Sequence, residues 1–319
     1  MQGSRGGFDI RKPKALREGD TIAVVAPASP VGRERLEAGA AELRRLGYRV
    51  RYRDDITAAD TFFAGAHSRR AAEFLDALHD PEVAAVFCAR GGYGCNYLIE
   101  HLAARGLPAE PKIVLGYSDI TSLLAWLTQH AGWVTFHGPM VAPPGESDFA
   151  AGPAGYDVHS FRQAMTCTAE WSTGGGGARP LRPGTAEGVL FGGCLPMLAA
   201  TLGTAREVDT AGTILLLEDI AAKPFQVDRM LFHLREAGKF ERVRGIVFGE
   251  MPDCVQRPDQ GYSLGDVVLR ALDGVNVPIV FGFRSGHTSG GNITLPLGVR
   301  ARLTAGEGVT LEMLEQSVV

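Results

Sequence analysis

Between Thr21 and about Met140 the chain repeats one alternation: the apolar runs TIAVVAP, VAAVFCA, KIVLGY and WVTFHG are separated by helical stretches such as RERLEAGAAELRRLG and SRRAAEFLDALHD. A continuous apolar run reads as a strand buried on both faces, and strands joined through helices run parallel. This part of the chain therefore predicts a parallel sheet with helices on its faces. In such sheets ligands gather beyond the carboxyl ends of the strands. Four segments end at that edge, APASP, ARGGYG, GYSD and HGPM, all rich in Gly, Pro and small polar residues.

From Pro143 to Gly184 the periodicity dissolves into PPGESDFAAGPAGYD and STGGGGARPLRPG, whose Gly and Pro content marks a connection, interrupted by one short helix near HSFRQAMT. After Glu187 come strands GVLFGG, TILLLED, VRGIVFGE, VPIVFGF and GVRARLTA, with helices at PMLAATL, VDRMLFHLREAG and GDVVLRAL. A chain of 319 residues fits two domains. The expected architecture is an N-terminal parallel-sheet α/β domain over 14–145, a linker over 146–185, and a strand-rich, barrel-like α+β domain over 186–319.

With 45% hydrophobic and 21% charged residues the composition is that of a globular protein that folds unaided. The net charge is −4, and Lys and Arg are scattered among acids, which leaves no footprint for nucleic acid or an anionic membrane. The start, MQGSRGGFDIRKPKALREGD, is polar and glycine-rich without the apolar core of a secretory signal, so a cytoplasmic location is expected. The five cysteines show no CxxC or Cys/His zinc spacing and read as reduced thiols; no metal is expected. The segment after the first strand, VVAPASPVG, lacks a nucleotide-binding glycine fingerprint. A small molecule or peptide remains the natural substrate.

Ser118, in GYSD, leaves a buried strand and opens a helix. Such a serine is either an N-cap or a nucleophile exposed on a tight strand-to-helix turn, although GYSD lacks the second glycine of GxSxG. Gly91, Gly92 and Gly94 in ARGGYGCN permit close backbone approach to a ligand, through an oxyanion donor or simply a tight loop. A nucleophilic serine needs a base. Most of the eight histidines, among them His79, His101, His130 and His233, fall on helical segments; His137 in TFHGPM and His287 in GFRSGHTSGGN lie instead in small-residue loops after apolar strands. For the carboxylate that would orient the imidazole, Glu218 at the end of TILLLED is the candidate, and Asp219 its competitor.

At these residues the chain resembles the LD-carboxypeptidase family, serine peptidases of the S66 type that include muropeptide LD-carboxypeptidases and microcin C immunity peptidases. The resemblance runs in order through GDTIAVVAPAS, the stretch from FFAGAHSRR to ARGGYG, PKIVLGYSDITSLL, FHGPM, GVLFGGCLPMLAATLGT, LLLEDI, DRMLFHLREAG and GHTSGGNITLPLG. It implies a triad of Ser118, Glu218 and His287, an oxyanion hole from the Gly92 and Asp119 amides, no cofactor, and a homodimer. The implied reaction releases terminal D-alanine from the L-centre, meso-diaminopimelate or L-lysine, of a murein tetrapeptide in cell-wall recycling. An immunity-type peptidase cleaving an aminoacyl-nucleotide link is the runner-up; Trp171 is the only obvious linker tryptophan able to stack a purine, and otherwise reads as a packing anchor. Arg90 and Tyr93, with Arg284, are candidates for holding the substrate, Arg90 and Arg284 through its carboxylate. One departure stands out: Cys194 in GGCL occupies a position where the family has Asn.

Overall fold

The computed structural model describes residues 10–145 and 147–319. Residues 1–9 of the polar, glycine-rich start, and residue 146 at the head of the expected linker, lie outside them.

The predicted alternation appears as β1 (Thr21–Val25), α1 (Arg33–Arg45), α2 (His67–His79), β3 (Val83–Cys88), α3 (Leu98–Arg105), β4 (Ile113–Gly116), α4 (Thr121–Gln129) and β5 (Thr135–His137), with a short strand β2 (Arg49–Arg51) after α1. β2 escapes a sequence reading because RVR at a sheet edge has no apolar run and is largely exposed. The strands pair in parallel in the order β5-β4-β3-β1-β2. β1 and β4 are buried throughout, as strands covered on both faces must be.

The second half contributes β8 (Gly184–Cys194), α6 (Leu195–Ala199), β9 (Thr213–Glu218), α7 (Pro224–Glu236), β10 (Gly245–Gly249), α8 (Leu264–Ala271), β11 (Ile279–Phe283), β12 (Leu295–Leu297), β13 (Arg300–Ala305) and β14 (Val309–Met313). Strands β8 to β11 form a parallel centre, to which β13 and β14 add antiparallel. Every residue of β9 is buried, and each such Leu or Ile contributes about 1.5–3 kcal/mol relative to exposure.

The segment 146–185, expected as a connection, is built into the structure. It holds α5 (Val158–Thr166), β6 (Trp171–Gly174) on β14, and β7 (Arg179–Arg182) on β11. β6 and β7 are the two ends of an eight-stranded sheet, and no ladder joins them among the described residues; the strand-rich half is thus an open sheet.

The halves interlock. β12, from the far end of the chain, adds antiparallel to β5 and completes a six-stranded N-terminal sheet, placing Leu295 opposite His137. One hydrophobic core joins Phe87, Leu115 and Phe136 with Leu190, Leu216, Val280 and Leu303, while Ala125 of α4 enters a second core under α6, α7 and α8. Apolar burial across this seam fixes the relative placement of the segments that meet there.

Candidate active site

Ser118 lies where β4 gives way, through a single 3-10 turn at Ser118–Ile120, to α4. Its φ of 61° is left-handed, a conformation that costs a non-glycine residue on the order of 1–3 kcal/mol and that the surrounding packing must offset. Its side chain caps no helix amide, so the N-cap alternative is not the one realised. Two glycines of the neighbouring loop permit close packing, Gly91 against Ser118 and Gly92 against Ser29. A Cβ on Gly91 would lie 2.9 Å from Ser118 Cβ and 3.0 Å from its Oγ; one on Gly92, where φ is 118°, would lie 2.2 Å from Ser29 Oγ. Ser29 is tied to the same loop, its amide donating to Gly91 O at 3.4 Å and its Oγ accepting from Tyr93 N at 3.2 Å. The amides of Gly92 and Asp119 donate to no group elsewhere among the described residues, and so remain open to an anion beside Ser118.

Arg70 holds this loop from below. It is fully buried and donates to the carbonyls of Pro27, Gly65 and Gly94, the last two at 3.1 Å. The Asp119 side chain faces inward, accepting from Cys95 N at 2.8 Å, and burial raises its carboxyl above the usual range.

Glu218 ends β9 with no exposure at all. Its Oε2 accepts from His287 Nδ1 at 2.6 Å and from the His287 amide at 2.9 Å, and a Cβ on Gly286 would meet its carboxylate at 2.6 Å. Burial by itself would raise the Glu218 pKa; the neighbouring imidazoles of His287 and His137 reverse this and hold it well below the carboxylate range. Burial likewise opposes a charge on His287, but the adjacent carboxylate outweighs it and raises the imidazole pKa. With Nδ1 engaged, Nε2 is the ring nitrogen left for proton transfer. The ring packs edge to face on Tyr117, the residue before Ser118, at 4.9 Å between centroids.

A buried network keeps the serine turn and the histidine loop in register. Tyr117 Oη donates to Asp148 Oδ2 at 2.8 Å, Met140 N donates to Asp148 Oδ1 at 2.9 Å, and Asn292 Nδ2 donates to the same Oδ1 at 3.0 Å. Asn292 in turn brackets Gly286, accepting from its amide at 3.1 Å and donating to its carbonyl at 3.0 Å. Burial carries the Asp148 carboxyl up to about 6 against these donors. Neither Asp148 nor Arg70 is legible in the sequence: one lies in a Gly/Pro-rich stretch, the other in an ordinary amphipathic helix.

The structure thus brings Glu218 and His287 together, and packs His287 against the turn that carries Ser118. Asp219, the competing acid, turns aside and hydrogen-bonds the Ile220 amide at 2.8 Å. Arg90 is half-buried and donates to the carbonyls of Gly91 and Pro30 at 3.2 Å, with no carboxylate paired to it among the described residues. Arg284 differs, being paired with Glu250 at 3.3 Å. The Tyr93 ring is exposed in an aromatic group with Phe62, Phe63 and Tyr97. Cys194 stands opposite Glu218 in the β8–β9 ladder, its amide donating to Thr121 Oγ1 at 3.0 Å; burial raises its thiol pKa well above the ordinary value, so it supplies no thiolate. Trp171 is buried in β6 opposite Met313.

Two interlocked sheets, with a strained serine turn and a carboxylate–imidazole pair near their seam, define the class as a mixed α/β protein, parallel-sheeted in its first half and strand-rich in its second. The comparisons with known proteins are specific. The family model for the LD-carboxypeptidase N-terminal domain matches residues 22–138, and that for the C-terminal domain matches 187–303. The chain is 36% identical over 297 residues to a probable murein peptide carboxypeptidase of Bacillus subtilis, with 89% of each chain covered. It superimposes on the crystal structure of a muramoyltetrapeptide carboxypeptidase from Oxalobacter formigenes with a TM-score of 0.79 at 30% identity, covering 93% of this chain and 99% of that one. The Escherichia coli microcin C7 self-immunity protein MccF is 29% identical over 316 residues, 88% of this chain and 90% of that protein. This chain belongs to the LD-carboxypeptidase family of S66 peptidases.

Proposed function

We propose that the chain is a serine LD-carboxypeptidase that hydrolyses the amide between an L-configured centre, meso-diaminopimelate or L-lysine, and the terminal D-alanine of a murein tetrapeptide. The observation that carries this reading is the 2.6 Å contact between His287 Nδ1 and Glu218, on a ring packed against Tyr117 beside the strained Ser118. Ser118 Oγ attacks the carbonyl carbon while His287 Nε2 takes its proton, and the Gly92 and Asp119 amides receive the charge that develops on oxygen. The proton then passes from Nε2 to the departing D-alanine amine as the C–N bond breaks. Water, deprotonated by the same nitrogen, releases the acyl group from Ser118. Glu218 holds the ring and offsets its charge in each half-reaction.

Arg90 fits as the receptor for the terminal carboxylate, since its guanidinium sits beside the Gly92 loop and, among the described residues, pairs only with carbonyls. Tyr93 flanks it. The names of the B. subtilis and O. formigenes relatives agree with a muropeptide substrate. A homodimer working in the cytoplasm on recycled cell-wall peptides belongs to the same reading, and sedimentation tests the dimer.

The relationship to MccF keeps a second reading, cleavage of an aminoacyl-nucleotide link. Against it, Trp171 is buried in a strand, so this ring does not serve a purine. The deciding experiment follows D-alanine release from defined tetrapeptides, and cleavage of an aminoacyl sulfamoyl nucleoside, by the wild type and by Ser118→Ala. Loss of peptide turnover in folded Ser118→Ala is expected; retained turnover removes the mechanism, and turnover of the nucleoside alone shifts the function to the second reading.

A further inference from the structure

A second imidazole meets the same carboxylate. His137, the last residue of β5, is fully buried, and its Nε2 stands 3.8 Å from Glu218 Oε1. Both of these atoms are buried without a hydrogen-bond partner among the described residues. The other side of the ring is anchored: His137 Nδ1 lies 3.1 Å from Ser285 Oγ, which lies 2.8 Å from the carbonyl oxygen of Ile293. A carbonyl only accepts, so the single serine proton is committed to Ile293. Oγ therefore accepts from His137, and Nδ1 carries a hydrogen. A neutral ring of that tautomer would aim its Nε2 lone pair at the lone pairs of a buried carboxylate, with nothing to compensate either. A cationic ring aims an N–H there instead.

We propose that His137 is held as an imidazolium and acts as a positioning residue on Glu218, so that one carboxylate is shared between two rings, Oε2 with His287 and Oε1 with His137. The proposal rests on the reading of His287 as the general base and deepens it. At 3.8 Å the second contact is long for a hydrogen bond, and an approach of about 1 Å closes it, in keeping with contacts that tighten only when substrate is bound. Sharing has a chemical effect. A carboxylate partly neutralised by His137 holds the His287 proton less firmly, which keeps Nε2 of His287 free to act as a base nearer neutral pH. The other ionisable groups around the trio are Tyr117, 6.1 Å from His137 between ring centroids; Asp148, bonded to Tyr117; Asp219, next to Glu218; and the thiols of Cys194 and Cys254, whose pKa values burial raises. None of them pairs with His137 Nε2 among the described residues.

The test uses the full chain and His137→Gln, which keeps a donor and removes the charge. Nitrogen-15 NMR of the wild-type imidazoles is expected to show a hydrogen on His137 Nε2, facing Glu218, beside the one on Nδ1; a bare Nε2 overturns the proposal. In His137→Gln the acid limb of kcat/KM is expected to move up by about one pH unit, with activity recovering as pH rises. A loss spread evenly over pH, with the limb unmoved, marks a merely structural histidine and overturns it. Ser285→Ala, which keeps both imidazoles but frees Nδ1, is expected to move the limb the same way by less and stands in should His137→Gln fail to fold. If the wild type cleaves no peptide, the proposed function fails, but the His287 titration by NMR, expected to be higher in His137→Gln than in wild type, still decides the sharing.

Discussion

Asn292 Nδ2 donates to Asp148 Oδ1 at 3.0 Å across 144 positions of sequence, and with this bond the loop carrying His287 is fastened to the network that holds Tyr117. The two residues belong to segments with no regular secondary structure of their own, so side chains carry the registration that helices or strands supply elsewhere. Replacing Asn292 by Ala leaves the Gly286 amide and carbonyl without their side-chain partner and takes one donor from a buried carboxylate. The expected cost is about 2–3 kcal/mol in stability. The loss in kcat is expected to exceed that of an equally destabilised core variant, and urea midpoints read beside D-alanine release check both.

The pH dependence follows from His287. Its pKa is raised above the ordinary 6.5, so Nε2 becomes a competent base only as pH climbs through a midpoint above that value. The acid limb of kcat/KM is therefore expected on the alkaline side of 6.5. The same shift means that protonated His287 contributes stability fully present below 6.5 and lost as pH rises through the raised pKa. Glu218→Gln is expected to move the limb down and to cut kcat on the order of a thousandfold or more, because an amide there no longer fixes the Nδ1–H tautomer. A pH–rate profile of the two proteins is the measurement.

Gly91→Ala tests the packing of the oxyanion loop against the serine. A methyl group there lands 3.0 Å from Ser118 Oγ and 3.4 Å from the Asp119 amide. Since φ at Gly91 is not left-handed, the backbone tolerates the residue. The methyl also lands 2.9 Å from Ser118 Cβ, so the serine turn must shift; a loss on the order of 100-fold in kcat is expected, together with a lowered melting temperature.

Arg90→Met separates carboxylate recognition from chemistry. The expected result is a KM raised on the order of tenfold or more for peptides ending in free D-alanine, with no comparable change for the C-terminal amide, since only the former offers a bidentate partner. Steady-state kinetics on the matched pair decides this, and equal effects on the two substrates remove Arg90 from the recognition site.

The parallel strands and their helices were legible because both obey short periods: TIAVV and TILLLE are buried end to end, and α1 and α2 repeat as amphipathic helices must. The short edge strands β2, β6 and β7 were not, because RVR, WSTG and RPLR draw their strand character from the partners they pair with. β12 is the sharpest case: LPL carries no sign that it will leave its own half of the chain and lie beside His137.

The amino-acid sequence by itself determined that several strands end in glycine-bearing loops, that Ser118 and His287 lie in such loops and that Glu218 ends an apolar strand, since burial patterns and turn residues are local properties of the chain. Only the tertiary structure decided that Glu218 faces His287 while Asp219 turns away, that Arg284 is occupied by Glu250 while Arg90 has no acidic partner among the described residues, and that His137 meets Glu218 from the other sheet. Those pairings join residues far apart in sequence, and their distances are set by how two apolar surfaces dock, a quantity that no window of sequence contains.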